Sequence, residues 1–243
     1  MQLLNKNGMS AKRIIFVTGT DTGVGKTLLT ALLLHHLRQT SPGRTLAMKP
    51  FCSGNRADVR LLQSLQSGEL TDAEMNPFYF PQPIAPWVAA GKNRKFLRLD
   101  DVIQRIKEVQ TKCDQLLIEG SGGLLVPLGE GFSVADLIGK LNCQVVVVAR
   151  NQLGTINHTL LTVKVLQTIG IAAKNITIVL MSGPKTDIST RTNQRAIAAL
   201  LRPKIGVLGI SFLGSRANST QMILKNHPKA KKTLKKIVCG SEV

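Results

Sequence analysis

The chain has 243 residues, is 43% hydrophobic, and carries 32 Lys and Arg against 14 Asp and Glu, a formal charge of +18. This size suits one globular domain with its own core, and no apolar run reaches the roughly 18 residues that a membrane-spanning helix needs. The charge attracts polyanions in general, but only 4% of residues are aromatic, too few for base-stacking platforms, so binding to nucleic acid or membrane is not expected.

Short apolar segments alternate with helical patterns along the chain. The predicted strands are IIFVTG (14–19), RTLAMKP, DQLLIEG, CQVVVVAR, ITIVLMSG and KIGVLGI. Predicted helices follow IIFVTG as KTLLTALLLHHLRQ and lie at 58–67, 99–112, 134–141, 156–168 and 190–200. Strands rich in Val, Ile and Leu that alternate with helices predict an α/β domain with a mostly parallel sheet, flanked by helices on both faces.

Two segments do not fit this alternation. The proline-rich stretch NPFYFPQPIAPW (76–87) is predicted to be an ordered loop, since each proline lacks a backbone donor. The segment after about residue 218 carries six lysines and no acid within KNHPKAKKTLKK. We expect it to be weakly folded, apart from a possible short basic helix. The predicted organisation is a domain at 12–217 and a basic tail at 218–243, whose removal should leave catalysis unchanged.

A glycine-rich phosphate-binding loop is predicted where the first strand ends. VTGTDTGVGKT (17–27) runs from strand to turn to helix. Glycines allow the tight turn that points backbone N–H groups and a helix N-terminus at phosphate oxygens. Lys26 is predicted to reach the terminal phosphates, and the Thr27 hydroxyl to ligate Mg²⁺. The predicted nucleotide contacts in this loop are Gly23, Val24, Gly25, Lys26, Thr27 and Leu28.

Charged residues are also predicted at the ends of two further strands. Lys49, in MKPFCSG, should project from the carboxyl edge of the sheet toward the phosphates and hold a transferred phosphoryl group or an anionic intermediate. Glu119, in LLIEGSGGLLVPL, has the placement of a Mg²⁺ ligand, and the backbone of the glycines after it can approach a ligand closely. Asp58 is a second candidate ligand, although an acid at a helix start is also typical of a cap.

As a set, these segments resemble the dethiobiotin synthetase family. The matching stretches, in the family's order over about 14–213, are GTDTGVGKT, KPFCSG, PFYFPQPIAPWVAA, IEGSGGLLVPL, VADLIGKLNCQVVVV and RNQLGTINHTLLTVKVL. The resemblance implies an ATP- and Mg²⁺-dependent ligase of biotin biosynthesis. In its reaction, 7,8-diaminopelargonic acid takes up carbon dioxide as a carbamate, ATP phosphorylates the carbamate, and the second amine closes the ureido ring.

The resemblance also implies roles for individual residues. Lys26 and Lys49 would be catalytic, neutralising the carbamate and the γ-phosphate, and Thr27, Asp58 and Glu119 would hold Mg²⁺. The implied nucleotide contacts add Asp58, Glu119, Gly120, Ser121 and Gly122 to those of the loop. The implied substrate contacts are Ser53, Gly122 and Gly123, together with Gly154 and Asn157 at the helix start in LGTINH, which would reach the substrate carboxylate from the other subunit of a homodimer.

Two positions depart from the family in the implied base pocket. Ser182 stands where the family has an adenine-reading Asn, and Ser211 stands where it has a proline. We therefore expect looser selectivity for the nucleotide base.

Two other classes of protein are alternatives to this family, and the sequence fits each of them less well. A regulatory ATPase of the partitioning or septum-positioning type shares the fold, but those proteins carry a lysine early in the loop where this chain has Asp21. The chain is too short for the added glutaminase domain of a cobalamin-pathway synthetase.

The four cysteines show no zinc-ligand spacing; they are Cys52, Cys113, Cys143 and Cys239. The first ten residues lack the apolar segment of a secretory signal, so free thiols and a cytoplasmic location are expected.

Overall fold

The computed structural model describes residues 13–91 and 97–239. Their strands, in chain order, are β1 (Arg13–Gly19), β2 (Thr45–Met48), β3 (Phe51–Ser53), β4 (Phe78–Phe80), β5 (Gln115–Glu119), β6 (Pro127–Gly129), β7 (Phe132–Ser133), β8 (Gln144–Asn151), β9 (Ile176–Ser182) and β10 (Gly206–Ile210). Six of them form one parallel sheet in the order β10-β9-β8-β1-β5-β2. This confirms the predicted α/β domain and all six strands expected from the sequence.

Helices connect these strands and pack against the sheet. In chain order they are α1 (Lys26–Thr40), α2 (Ala57–Leu65), α3 (Asp72–Met75), α4 (Pro86–Ala89), α5 (Leu99–Gln110), α6 (Val134–Lys140), α7 (Thr155–Thr168), α8 (Ile188–Leu200) and α9 (Thr220–Cys239), with a 3₁₀ turn at Ala173–Asn175. In the described part of the chain, no helix has the length and hydropathy needed to cross a membrane.

The central strands are covered on both sides. Successive side chains of a strand point to opposite faces of the sheet, and Val145, Val146, Val147, Val148 and Ala149 of β8 are all fully buried. Apolar side chains therefore fill both faces, which explains why these strands have continuous rather than alternating hydrophobic sequences.

The strand register brings the predicted site residues to one edge. In the parallel pairs, Val17 lies beside Glu119, Gly19 beside Val148, and Met48 beside Ile118. Lys49 follows Met48 directly, so it lies at the carboxyl edge next to Glu119 and the glycine-rich loop. Ligands of open α/β sheets bind at this edge.

The proline-rich stretch is more regular than predicted. Within it, β4 pairs in parallel with β3, and Pro86 occupies the first turn of α4. A proline at that position loses no helix hydrogen bond, because the first N–H groups of a helix have no intrahelical partner. The expectation of a loop throughout 76–87 is therefore wrong for Phe78–Phe80 and for the start of α4.

The expectation of a weakly folded segment after residue 218 is also wrong. α9 is a 20-residue helix with Pro228 inside it, and it packs along α1. Its buried face includes Ile223, Leu234 and Ile237, each fully buried. The six lysines are all exposed, so the basic sequence lies on the solvent side of a helix whose other side belongs to the core.

Candidate active site

A cavity of about 540 Å³ opens at the carboxyl edge of the sheet. The loop between β1 and α1 forms one wall, and the segments that follow β2, β3 and β5 form the others. The predicted residues that line it are Gly23, Gly25, Lys26, Thr27, Leu28, Lys49, Ser53, Asp58, Glu119, Gly120, Ser121 and Gly122. Sequence positions as far apart as 23 and 122 thus contribute to one cavity.

The loop between β1 and α1 has the backbone geometry that its glycines predict. Gly23 has φ 69° and Gly25 has φ 103°, values in the left-handed region that favours glycine. Gly25 caps the N-terminus of α1, and the first turn of that helix contains no acidic residue. Free N–H groups and the positive end of the helix therefore point toward the cavity, which is the arrangement that binds phosphate.

Four polar side chains meet beneath this loop. Lys49 Nζ donates to Asp58 Oδ2 at 2.5 Å and to Glu119 Oε1 at 2.6 Å, and the Thr27 hydroxyl donates to the same Glu119 oxygen at 2.7 Å. Glu119 is 1% exposed and Lys49 is 7% exposed. A buried charge is costly unless it is paired, and in this cluster the buried Lys49 amine is paired with two carboxylates.

The electrostatics of the two lysines differ. Burial by itself would lower the pKa of Lys49, but the carboxylates of Glu119 and Asp58 outweigh it and raise that pKa above its ordinary value. The pKa of Lys26 is lowered to about 8, mainly by burial; the positive charge of Lys49 acts in the same direction as burial, and Glu119 acts in the opposite direction. Lys26 Nζ donates to the Asp21 carbonyl at 2.7 Å, so its partner is a neutral backbone oxygen.

Two buried polar atoms in the cavity have no hydrogen-bond partner: Ser53 Oγ and Glu119 Oε2. An unsatisfied buried oxygen costs about 1–3 kcal/mol, and a ligand that satisfies it recovers that cost. Both residues were predicted to bind a ligand. The arrangement therefore has a free hydroxyl and a free carboxylate oxygen available to a substrate or a cation.

The donor set also fits a small divalent cation. In the described ranges, no three His, Cys, Asp or Glu side chains form a metal-binding cluster. Mg²⁺ takes oxygen ligands and is usually held by one or two carboxylates together with substrate phosphates. Thr27, Asp58 and Glu119 supply such oxygens next to the phosphate-binding loop.

A second cavity, of about 450 Å³, adjoins the first on the other side of the loop. Gly23, Gly25 and Leu28 line both cavities, and Val24 lines only this one. Ser182 and Ser211 also line it, so the two positions assigned to the base pocket lie together.

Several lining residues were not predicted. Arg150 donates from Nε and Nη2 to the Gly23 carbonyl at 3.2 and 3.0 Å, and Asn218 lines the first cavity from the segment before α9. Arg150 ends the strand CQVVVVAR, so its place at the carboxyl end was a usable signal. For Asn218 the sequence holds no such signal, because only the packing of α9 brings it close.

The structure does not bring every predicted residue to the cavities. Gly123 is adjacent to the first cavity without lining it, Gly154 caps the exposed start of α7, and Asn157 is exposed on that helix. Within one chain, Gly154 and Asn157 therefore do not contribute to the site.

The comparison with known sequences gives one consistent family. Residues 13–215 match the family described as AAA domain. The ATP-dependent dethiobiotin synthetase of Bacillus licheniformis is 35% identical over 93% of this chain and 98% of its own length. The enzyme of the same name from Bacillus velezensis is 38% identical over 82% of this chain and 86% of its own. That of Methanocaldococcus jannaschii is 38% identical over 68% and 78%.

Solved structures support the fold more broadly. A ParA family ATPase from Chlorobium tepidum superposes with a TM-score of 0.55 at 16% identity, over 94% of this chain and 98% of its own. A putative plasmid partition protein from Borrelia burgdorferi bound to AMPPNP gives 0.59 at 12% identity, over 93% and 98%. At such low identity these neighbours share only the fold, whereas the sequence relatives match at two to three times that identity. The chain belongs to the ATP-dependent dethiobiotin synthetase family.

Proposed function

We propose that this protein converts 7,8-diaminopelargonic acid, carbon dioxide and ATP into dethiobiotin, ADP and phosphate, as the ligase of biotin biosynthesis. The observation that carries the proposal is Lys49, buried between Glu119 and Asp58 beside the phosphate-binding loop. A lysine held charged at this edge can stabilise two neighbouring anions, a carbamate and a terminal phosphate, which repel each other unless a cation lies between them.

The proposed reaction has three steps, and the cavity residues act on the charge that develops in the second. One amine of the diamine adds to carbon dioxide and loses a proton, which gives a carbamate. A carbamate oxygen then attacks the γ-phosphorus, ADP leaves, and Lys26, Lys49 and the loop N–H groups stabilise the negative charge. The second amine attacks the carbonyl carbon of the mixed anhydride, phosphate leaves with the bonding electrons, and the attacking nitrogen loses a proton to solvent or to the departing phosphate as the ureido ring closes.

Magnesium is part of the proposal. Thr27, Asp58 and Glu119 would hold Mg²⁺, which, when bound, supplies positive charge that neutralises the phosphate oxygens. The unpartnered Oε2 atom of buried Glu119 supports this assignment. Lys49 already contacts both carboxylates, so it is in place to share them with a cation.

Substrate binding is proposed to involve two chains. Ser53, whose buried hydroxyl lacks a partner, and the backbone at Gly122 and Gly123 would bind the diamine end. Gly154 and Asn157 would receive the carboxylate from the second subunit of a homodimer, since a helix N-terminus is an anion site.

No nucleic acid or membrane partner is proposed. The four cysteines form no disulfide, in keeping with a proposed location in the cytoplasm.

The base-side cavity supports looser base selectivity. Ser182 and Ser211 have short side chains, and Asn151 Nδ2 is 3.4 Å from Ser182 Oγ, so the Ser182 hydroxyl already has a protein neighbour. We expect kcat/KM for CTP and GTP to lie within about tenfold of that for ATP, which corresponds to a difference of about 1.4 kcal/mol. Steady-state rates with the three nucleotides measure this, and a strong preference for ATP would refute it.

The decisive experiment is a kinetic assay of ADP release. Release that depends on both the diamine and bicarbonate, with dethiobiotin identified as product by mass spectrometry, is the expected result. A regulatory ATPase, the alternative suggested by fold alone, would instead release ADP without the diamine and respond to DNA or lipid vesicles. ADP release that ignores the diamine would overturn the proposal.

A further inference from the structure

The segment that follows β10 forms one wall of the base-side cavity. Ser211, Phe212, Leu213 and Gly214 all line it, and they belong to no helix or strand. Irregular backbone at a binding site holds its shape only if something outside it fixes its position. The contacts of this segment with α9 therefore bear on the position of this wall.

One buried side chain of α9 makes that contact. Asn226 is 1% exposed, and its Nδ2 atom donates to the Leu213 carbonyl at 2.9 Å. Leu213 is itself buried. A hydrogen bond between buried groups is directional, and removing the donor leaves a buried carbonyl without this partner. Asn226 thus fixes the backbone of the cavity wall at its centre.

The next residue of α9, His227, contacts α1. His227 Nε2 lies 3.0 Å from His36 Nδ1, and both rings are buried. His36 is on α1, the helix that begins with Lys26 and Thr27. Two adjacent residues of α9 therefore contact the base-side wall and the C-terminal half of α1, which joins this turn of α9 to both.

We propose that Asn226 is a positioning residue for the nucleotide base: through the Leu213 carbonyl it holds the 211–214 backbone that forms one wall of the base-side cavity. The proposal rests on the proposed function, in that the base of the nucleotide occupies this cavity. Asn226 does not line the cavity, so it acts through Leu213 rather than by contact with the ligand. Loss of its hydrogen bond should weaken base-dependent binding and leave phosphate-dependent binding intact.

Two probes separate these contributions: ATP, and inorganic tripolyphosphate, which has the phosphates but no base. Binding of each, with Mg²⁺ and without the diamine, is measured by titration calorimetry on the full chain. In Asn226→Leu, we expect the Kd for ATP to rise about three- to tenfold, the loss of one hydrogen bond, and the Kd for tripolyphosphate to stay within about twofold. The KM for ATP should rise by the same factor, with kcat unchanged.

Thr233→Val is the matched control. The Thr233 hydroxyl also donates from α9 to a backbone carbonyl, that of Gly209 at 3.0 Å, but Gly209 lies in β10 and outside the cavity. This variant also loses a side-chain-to-backbone bond of α9, at a more exposed position, and should bind both probes as the parent chain does. Asn226→Ser, which is smaller and cannot overpack the site, is the second variant and should behave as Asn226→Leu if the latter fails to fold.

The outcomes are distinguishable. Equal weakening of ATP and tripolyphosphate would mean a general structural role, and unchanged ATP binding would mean no role; either result overturns the proposal for Asn226. If the parent chain itself bound ATP no better than tripolyphosphate, the assignment of the base to this cavity would be wrong. The proposed function is tested separately, by the ADP-release assay.

Discussion

Lys49 is the residue on which the proposed chemistry depends most. Its Nζ contacts two carboxylates, and its removal takes away a donor that acts on charge developing during the reaction. We predict that Lys49→Ala lowers kcat for dethiobiotin formation by about 10²–10³, the usual cost of one such donor. Binding of ATP should remain largely intact, because Lys26 and the loop N–H groups are still present.

The control for this variant is Lys112→Ala, since Lys112 also pairs with a carboxylate, that of Glu74, at an exposed position. Surface pairs contribute little, so this change should leave the rate unaffected. Calorimetry with ATP and a product assay measure both variants. A fully active Lys49→Ala enzyme would show that the assigned mechanism is wrong.

Lys26 gives the second residue-scale prediction, a dependence of ATP binding on pH. Burial lowers its pKa to about 8 in the chain without nucleotide, so the amine is charged below pH 8 and increasingly neutral above it. Bound phosphate stabilises the charged form and raises the pKa. We therefore expect ATP affinity to be highest below pH 8 and to fall above it, by at most about tenfold per pH unit.

Arginine supplies the comparison. Lys26→Arg stays charged up to about pH 12, so its ATP affinity, although lower overall, should not change between pH 7.5 and 9.5. Kd values for ATP across this range test the assignment. Parallel curves for the two proteins would contradict it, because the pH dependence would then originate elsewhere.

At the scale of elements, the sequence predicted long, strongly patterned segments and missed short ones. All six strands of the main sheet were predicted because runs such as VVVV in β8 leave no other assignment. β3 and β4 have three residues each, too few for a period to appear, and among the described strands they pair only with each other. The same limit applies to the site: Lys26 and Glu119 follow strong strands, whereas Asn218 and Asn226 come close only through tertiary packing.

α9 was misjudged for a different physical reason. Its lysines and Pro228 make the sequence look polar and irregular, but they all fall on the exposed side of the helix. The apolar residues recur at Ile223, Ala230, Leu234 and Ile237, which places them on one face at helical spacing. Read by position rather than by composition, that pattern predicts an amphipathic helix with a core-facing side.

The packing of α9 reverses the expectation that residues after 218 can be removed without effect. Burial of Ile223, Leu234 and Ile237 contributes about 1.5–3 kcal/mol each, and their sum is comparable with the total stability of a typical domain. Truncation at residue 217 would expose the matching face of α1 as well. We predict that the truncated chain is largely insoluble or melts more than about 10 °C lower, and so loses catalysis.

A charge control separates packing from the basic character of the helix. Lys229→Gln and Lys232→Gln remove two exposed charges and leave the buried face intact, so the melting temperature should change little. Thermal unfolding followed by circular dichroism compares the proteins. If truncation left both melting temperature and activity unchanged, the contact between α9 and α1 would have no energetic importance.

For the whole molecule, the excess charge is a property of the surface rather than of the site. The 14 Asp and Glu offset fewer than half of the 32 Lys and Arg, and the ion pairs of the described residues include Glu69, Asp72, Glu74 and Glu108. Lys225, Lys229, Lys232 and Lys236 recur at spacings of three and four residues, so they form one exposed stripe along α9. Such a field raises the local concentration of an anionic substrate.

ATP association should therefore depend strongly on salt. We predict that its association rate constant falls about tenfold or more between 50 and 500 mM NaCl, because the Debye length shrinks to only a few ångströms. The dissociation rate constant should change much less, since it reflects close contacts.

Replacing the four stripe lysines by Gln should make the salt dependence shallower without altering kcat, because none of them lines either cavity. Stopped-flow binding of a fluorescent ATP analogue measures both constants. An identical salt dependence in the two proteins would show that the lysine stripe on α9 has no part in capturing the nucleotide.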